Sequence, residues 1–266
     1  MTFQNKTIAV TGVSSGIGAA CAALLKERGA RVVGLDINEP VAGNVDQFIA
    51  YNQSDLGSIE EAVAKLPSDL DGLLNIAGIA PSPRFSPADV LKINFFGLRY
   101  FTEKVVSKLK DGAAIVNMSS GTGTGWPTNL ENIKAFLALD EISQVDDFVT
   151  EKNIVLDGVV NDAPYPFSKQ LLSVWTMKVS SKWLDRGIRV NAIAPAAVDT
   201  PIVGDFMTSF GPDAEKRMAK FGAATPENIA LATVFLLSEE AVWVNGAVLS
   251  VDGGAIAAGT MNKLGI

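Results

Sequence analysis

Tyr165 and Lys169 are the residues best suited to acid–base work in this chain. They stand at i and i+4, so on a helix both side chains project from one face. A tyrosine near its reference pKa of about 10 is a poor base at neutral pH. A cation within a few ångströms favours the phenolate, and lowering the pKa by about 2–3 units corresponds to about 3–4 kcal/mol. The pair reads as a proton acceptor with its own activating charge. Spacing alone is weak evidence, because Tyr100 and Lys104 share it. That second pair lies within a long helical pattern with no polar strand end beside it, and reads as structural. Tyr165 instead opens a helix after an excursion that follows Ser119 and Ser120. Pro166 suits a first helical turn, where a missing N–H is tolerated.

A second constellation lies near the N-terminus. The stretch Gly12-Val13-Ser14-Ser15-Gly16 has the form of a nucleophile elbow, but the chain has no histidine to serve as its base. The same residues read better as Thr11-Gly12-x-x-x-Gly16-x-Gly18 at a strand–helix turn. Glycines there permit a tight turn and let backbone N–H groups approach a pyrophosphate at the helix N-terminus. Asp36 closes the second predicted strand, 18 residues beyond Gly18. A carboxylate at that point binds both hydroxyls of an adenosine ribose and repels a 2′-phosphate. Ser14, Ser15 and Ile37 offer no positive charge, so NAD(H) is expected over NADP(H).

Composition narrows the chemistry further. Among 266 residues there is no histidine and a single cysteine, Cys21. A Ser-His-Asp triad, a Cys-His pair and a His/Cys zinc site are all excluded, and no metal is expected. An intramolecular disulfide is impossible as well. Net charge is −7, from 22 basic and 29 acidic residues, with no dense basic cluster for nucleic acid. No apolar run reaches the roughly 18–20 residues of a membrane span, and the N-terminus lacks a signal-peptide layout. A cytoplasmic protein is expected.

The elements that must hold these residues alternate along the chain. Apolar, β-branched runs at Thr7–Thr11, Arg31–Leu35, Gln47–Ala50, Gly72–Asn75, Ala113–Met118, Arg189–Ala194 and Ala247–Val251 predict strands covered on both faces. Amphipathic stretches at Gly16–Arg28, Ser58–Leu66, Pro87–Leu109, Tyr165–Arg186 and Pro226–Ser238 predict helices. Right-handed crossovers then give an α/β, doubly wound, Rossmann-like parallel sheet of about seven strands in a single domain, residues 1–266. One piece breaks the alternation. More than forty residues separate Ser120 from Tyr165, where a simple connection takes about 2–6. Within this insertion of about residues 121–164, apolar positions over Asn129–Lys152 recur at helical spacing. It reads as a helical excursion: a lid, an interaction element, or a packed surface addition.

Taken together, Thr11–Gly18, Asp36, Asp55-Leu56, Asn75-Ile76-Ala77-Gly78, Asn94, Ser119-Ser120, Tyr165/Lys169, Pro195 through Thr200 and Asp252-Gly253-Gly254 resemble the short-chain dehydrogenases/reductases over essentially the whole chain. The resemblance implies roles position by position. Tyr165 would be the general acid/base, and Lys169 would bind the nicotinamide ribose and lower the tyrosine pKa. Ser120 would hydrogen-bond the substrate oxygen, and Asn94 would hold a water in a proton relay behind Lys169. The cofactor would lie along Gly12, Ser14, Ser15, Gly16, Ile17 and Gly18, with Asp36 and Ile37 at the adenosine end. Asp55, with Leu56, would contact the adenine. Asn75 would serve the adenosine ribose region beside Ala77 and Gly78. Pro195, Val198 and Thr200 would line the nicotinamide side, Thr200 on the carboxamide. Departures are Ile76 in place of a second asparagine, Ala196 after Pro195 where glycine is usual, and the long insertion. The insertion makes the chain similar to the branch containing bacterial 3α-hydroxysteroid dehydrogenase/carbonyl reductases and coniferyl-alcohol dehydrogenases.

Pocket walls are expected from loops at the carboxyl ends of the strands. These are the loop after Gly78 (Ile79, Ala80, Pro81, Pro83, Phe85), Trp126, and a flap over about residues 201–225 carrying Ile202, Val203, Phe206, Met207, Phe210, Met218 and Phe221. Arg84 is a single candidate clamp for an anion. A hydrophobic small-molecule alcohol or ketone fits such walls: a 3α-type hydroxysteroid first, an aryl or allylic alcohol second. A non-catalytic NAD-binding regulator on the same fold and a sugar-nucleotide epimerase or dehydratase are the readings from other classes. The intact Ser120, Tyr165, Lys169 and Asn94 set argues against the regulator, and the absence of a longer C-terminal substrate domain against the epimerase. In relatives the two long helices pack against a symmetry mate. An insertion entering the second would obstruct that face, so a homodimer through Pro226–Val251 is expected.

Overall fold

Each β-branched run becomes a strand, and each strand lies beside another in parallel. The computed structural model describes residues 1–155 and 163–266; for residues 207, 210–215 and 217 it describes the backbone alone. In chain order the elements begin β1 (Thr7–Thr11), α1 (Gly16–Glu27), β2 (Arg31–Asp36), β3 (Gln47–Ala50), α2 (Leu56–Lys65) and β4 (Leu70–Asn75). Next come α3 (Pro87–Leu91), a π-helical segment Lys92–Gly97, α4 (Leu98–Val105), β5 (Leu109–Met118) and a 3-10 stretch Gly121–Asn129. The chain continues through α5 (Leu130–Leu137), α6 (Gln144–Glu151), α7 (Pro164–Val179), β6 (Arg189–Pro195), α8 (Val203–Phe221), α9 (Pro226–Leu237), β7 (Val248–Val251) and α10 (Ala255–Leu264).

The sheet order is β3-β2-β1-β4-β5-β6-β7, so the winding reverses between β1 and β4. In open α/β sheets that reversal opens a crevice at the carboxyl ends of the strands. Register fixes which residues share this edge. Thr11 pairs with Leu35, Asn75 with Asn117, Met118 with Ile193 and Pro195 with Val251. Residues just past these pairs are therefore brought together from distant parts of the sequence.

Two apolar layers cover the sheet. Cys21, Leu25, Ile229 and Val234 from α1 and α9 close one face with Val10, Leu74 and Val116. Phe101, Phe167, Leu171 and Trp175 from α4 and α7 close the other with Ala9, Leu73 and Ile115. The insertion joins this second layer, with Ile133, Phe136 and Val145 fully buried and Phe148 nearly so. Phe136 packs edge-on against Phe95, Phe148 and Phe167 at centroid distances of 5.8, 5.0 and 5.8 Å. Of the three readings of Asn129–Lys152, the packed addition describes these side chains, which point into the core. The rest of the insertion, residues 156–162, lies outside the described residues.

Three elements differ from the sequence pattern. The expected helix Pro87–Leu109 is divided by the π segment, because tertiary contacts hold Asn94 and Gly97, as described below. The expected flap is largely the helix α8; Gly204, Gly211 and Pro212 had concealed its periodicity. The C-terminal residues form α10. Among the described residues no helix is long and apolar enough to cross a membrane.

Candidate active site

The first strand–helix turn has no room for side chains where the sequence has glycine. A Cβ at Gly12, where φ is +76°, would lie 2.9 Å from the Ala77 nitrogen, and one at Gly18 would run into the Gly12 carbonyl. At Gly16 it would lie 3.2 Å from Thr200 Cγ2, so the turn and the residue expected at the carboxamide end are in contact range. Thr11 Oγ1 accepts hydrogen bonds from Ile76 N (2.9 Å) and Ala77 N (3.0 Å), binding this turn to the loop after β4. Ser15 caps α1 with extended backbone and makes no side-chain cap bond, and Ile17 packs partly buried against the core. The amides of a helix start such as this favour an anionic ligand.

Asp36 closes the adenosine end. Its Oδ2 accepts from Ser14 N at 3.0 Å and its Oδ1 from Asn38 N at 3.1 Å. The carboxylate is thus fixed against the glycine turn, with Ile37 beside it 70% exposed. At the other end, Val198 forms a short parallel bridge with Ala224, and the Thr200 hydroxyl donates to the Val198 carbonyl at 3.4 Å. Pro195 ends β6, and its carbonyl would lie 3.5 Å from a Cβ at Gly121, next to Ser120.

Two residues expected at the adenosine end also make structural bonds of their own. Asp55 is the N-cap of α2, its Oδ1 accepting from Gly57 N (2.9 Å) and Ser58 N (3.4 Å), while Leu56 packs on the core. Asn75 is 1% exposed, and its Nδ2 donates to Thr102 Oγ1 (2.9 Å) and Asn117 Oδ1 (2.8 Å). The Asn117 amide in turn donates to Thr176 Oγ1 at 2.9 Å. The Asn75 side chain therefore helps tie α4, the sheet and α7 together.

Around Tyr165 the structure gathers residues from four segments. Tyr165 is in the first turn of α7 and 7% exposed, and its side chain hydrogen-bonds that of Ser120. Ser120 Oγ also accepts from Thr122 N at 3.3 Å, which orients the hydroxyl at the start of the 3-10 stretch. Phe206 of α8 packs edge-on against the Tyr165 ring at 4.9 Å. Lys169 is 6% exposed; its Nζ donates to the Met118 carbonyl at 2.8 Å and lies 5.5 Å from the Tyr165 ring centroid. The Lys169 carbonyl accepts from Ser119 Oγ (3.1 Å) and Ser173 Oγ (2.9 Å), so the end of β5 grips this lysine at both its ends.

The electrostatics differ from the expectation for this pair. Burial pushes the Tyr165 hydroxyl above the ordinary tyrosine range, and the bond to Ser120 opposes this only in part. Burial also pulls the Lys169 ammonium down to about 8. The tyrosine thus stands above its ordinary range, on the opposite side from the lowering expected. The ammonium is directed to Met118, and desolvation of the phenolate dominates.

Asn94 faces the same cluster from the π segment. A Cβ at Gly78 would lie 3.0 Å from Asn94 Oδ1 and 3.9 Å from Lys169 Nζ, so Asn94 and Lys169 flank Gly78. The Asn94 amide is engaged in both directions by Ile79, accepting from its N–H at 2.8 Å and donating to its carbonyl at 2.9 Å. Its second donor points to Ser168 Oγ at 3.5 Å. The side-chain amide is therefore engaged by the Ile79 backbone and by Ser168. Tyr100 and Lys104, with the same spacing as the site pair, lie at the surface, where Tyr100 donates to Glu60 at 2.7 Å.

Sequence reasoning missed Gln53, 5% exposed, whose Nε2 donates to Ile93 O (2.6 Å) and Ala77 O (3.3 Å) while Oε1 accepts from Tyr51 (3.0 Å). A polar residue just past an apolar strand at the carboxyl edge was the available signal. Trp126, expected in the pocket wall, packs against the insertion's core cluster. Arg84, the candidate anion clamp, pairs with Asp205 of α8 at 2.5 Å. The side chains of Met207 and Phe210 lie outside the described residues.

Comparison with known proteins bears on the same segments. Residues 6–130 match the short chain dehydrogenase family model, and residues 148–255 match a model described as enoyl-(acyl carrier protein) reductase. A coniferyl-alcohol dehydrogenase from a Pseudomonas species is 36% identical over 258 residues, covering 96% of this chain and 98% of that protein. The 3-alpha-hydroxysteroid dehydrogenase/carbonyl reductase of Comamonas testosteroni is 26% identical, covering 93% and 95%. Among solved structures, the 3-alpha-hydroxysteroid dehydrogenase of Pseudomonas sp. B-0831, complexed with NADH, superposes with a TM-score of 0.79 at 27% identity, covering 95% of this chain and 98% of that one. An identity of 36% sustained along nearly all of both chains, on this sheet and this cluster, decides the matter: the protein belongs to the short-chain dehydrogenase/reductase family and is an oxidoreductase.

Proposed function

We propose that the protein interconverts an apolar alcohol and its carbonyl compound with NAD(H), with Tyr165 as general acid/base. The observation that carries this reading is the buried Tyr165 hydroxyl bonded to Ser120, with the Lys169 ammonium one helical turn along. The residues present fit the dinucleotide. The side-chain-free turn at Gly12, Gly16 and Gly18 suits a pyrophosphate, and Ser14, Ser15 and Ile17 border it. Asp36 and Ile37 suit an adenosine with a free 2′-hydroxyl. Ala77, Gly78, Pro195, Val198 and Thr200 continue the track toward Tyr165. The solved neighbour's NADH supports the same choice. Bound there, the cofactor supplies or accepts the hydride.

The chain's own residues then manage the proton. In carbonyl reduction, Ser120 and Tyr165 would hydrogen-bond the substrate oxygen, and the Tyr165 hydroxyl would donate its proton to it. In the reverse direction the tyrosine oxygen would accept the alcohol proton. The Lys169 ammonium would hold the cofactor's ribose and offset the phenolate charge as it forms. Phe206 excludes water from the tyrosine by covering its ring.

For the substrate we favour an aryl or allylic alcohol of the coniferyl type over the hydroxysteroid. The relative with that activity is the more similar, at 36% against 26% identity, and an aromatic ring suits the edge of Phe206. The hydroxysteroid reading keeps support from the superposition on a 3-alpha-hydroxysteroid dehydrogenase. Initial rates of NADH formation with coniferyl alcohol and with a panel of 3α-hydroxysteroids separate the two. A kcat/KM for steroids equal to or above that for coniferyl alcohol would reject the first reading. We further propose a homodimer through α9 and β7. The support is that β7 is an edge strand and that Leu231, Trp243 and Leu249 stand exposed nearby in sequence.

A further inference from the structure

The insertion touches the π segment at its start, its middle and just beyond its end. At the start, Lys92 pairs with Asp146 of α6 at 2.5 Å. In the middle, Phe95 packs edge-on against Phe136 of α5 at 5.8 Å. Just past the end, Arg99 donates to the carbonyls of Leu137 (3.3 Å) and Leu139 (2.6 Å), where α5 terminates. Its guanidinium also lies 4.6 Å from the centre of the Phe96 ring. A π turn is a strained, short-lived conformation unless its surroundings fix it, and it is commonly found at functional sites. Here the turn carries Asn94, whose amide grips the Ile79 backbone beside Lys169. On its inner side Gln53 takes the Ile93 carbonyl, and Gly97 lies against the Gln53 backbone.

We infer that the insertion is a brace. Through Arg99 above all, α5 holds the π turn in the form that keeps Asn94 against Ile79 and next to Lys169. Arg99 is thus a positioning residue for the proton-handling cluster. The inference rests on the proposed proton handling by Tyr165 and Lys169, and on the relay role expected of Asn94 behind Lys169. It assigns the insertion a task distinct from covering substrate and distinct from assembly. Arg99 suits that task because one rigid planar fork spans two carbonyls, a geometry that the flexible point charge of a lysine does not fix. Leu137 is the last residue of α5 and Leu139 lies just past its cap, so the cation sits at the carbonyl end of the helix, where the helix dipole also favours it.

The test is a double-mutant cycle between Arg99→Met and Asn94→Ala, read by kcat with coniferyl alcohol and NAD, by NADH affinity, and by amide hydrogen exchange. Arg99→Met is expected to lower kcat by about tenfold, the scale of a modest misplacement, with NADH affinity within about twofold of wild type. The Ile79 amide is expected to exchange faster, because Asn94 no longer fixes it. In the Asn94→Ala background the same change is expected to lower kcat no further, which general destabilisation would not produce. If Arg99→Met does not fold, Arg99→Lys, which keeps the charge but reaches one carbonyl, carries the same cycle with a smaller drop. Full additivity of the two losses, or an unchanged Ile79 exchange rate, overturns the brace while leaving the proposed function standing. An Asn94→Ala enzyme with wild-type kcat overturns the brace together with the role given to Asn94.

Discussion

Tyr165 and Lys169 are both buried, and burial acts on them with opposite signs. The phenol is pushed up and the ammonium is pulled down to about 8 from an unfolded value of 10.5. Below about pH 8 the lysine is protonated in both folded and unfolded chains and adds no pH dependence to stability. Between about 8 and 10.5 the unfolded chain binds the proton and the folded chain does not, so stability rises with pH, by on the order of 3 kcal/mol at most. The tyrosine contributes the opposite slope only above its ordinary value of about 10, where the unfolded chain loses a proton that the folded chain keeps. Urea denaturation of wild type and Lys169→Met at about pH 7 and about pH 9.5 is expected to show wild type gaining on the variant as pH rises. A constant difference would mean that the lysine is not desolvated. Activity isolates the other partner: Tyr165→Phe should abolish turnover, by about 10³-fold or more, while NADH binding persists. Substantial remaining activity would remove Tyr165 from the mechanism. Spacing in the sequence offered this pair and Tyr100 with Lys104 alike; the position of Tyr165 after the polar strand end Ser119-Ser120 told them apart. Neither could give the direction of either shift, since desolvation depends on packing from β5, α7 and α8 that no local spacing encodes.

At the scale of elements, α8 is joined to the loop after β4 at two points around the tyrosine. Arg84 pairs with Asp205, and Ser209 Oγ donates to the Pro81 carbonyl at 2.9 Å, while Phe206 between them covers Tyr165. The ion pair is open to solvent, with side chains 68% and 32% exposed, so it contributes about 0–1 kcal/mol and weakens with salt. Asp205→Asn is expected to raise KM for the alcohol by up to about fivefold, leave kcat equal or higher, and remove the salt dependence of KM. A variant whose KM still rose with salt as in wild type would show that this pair does not hold α8 closed. The strands were legible as short apolar, β-branched runs covered on both faces, and the helices α1, α2, α7 and α9 as longer amphipathic stretches between them. The glycine turn and Asp36 stood out because their types and spacing suit a pyrophosphate and a ribose diol, the roles proposed for them. Three features were hidden. The π turn depends on Gln53, Ile79 and α5, all remote in sequence; α8 runs through Gly211 and Pro212; and Asp55 and Asn75 are polar residues whose hydrogen-bond partners only the fold reveals.

For the whole molecule, the disposition of apolar surface decides how copies assemble. The layer formed by α4 and α7 would present a broad face, but α5 and α6 lie on it, with Ile133, Phe136, Val145 and Phe148 buried beneath them. At the opposite end of the sheet, β7 has one unpaired edge, and Trp243 is 96% exposed with Val242 at 69% and Leu231 at 49%. These exposed apolar side chains support the proposed association surface at α9 and β7. A single self-complementary patch pairs two copies about a twofold axis and is then used up. A tetramer needs a second such face, and the insertion occupies the place where it would be. Light scattering of the purified protein is therefore expected to give the mass of two chains, and the pair Leu231→Glu with Trp243→Arg the mass of one. A wild-type tetramer would mean that α5 and α6 themselves form a contact. A dimer that survives both substitutions would place the interface away from α9 and β7. Tyr165 belongs to α7 and not to the α9–β7 surface, so the monomeric variant should bind NADH as the dimer does, and a large loss of NADH affinity would show that pairing shapes the site.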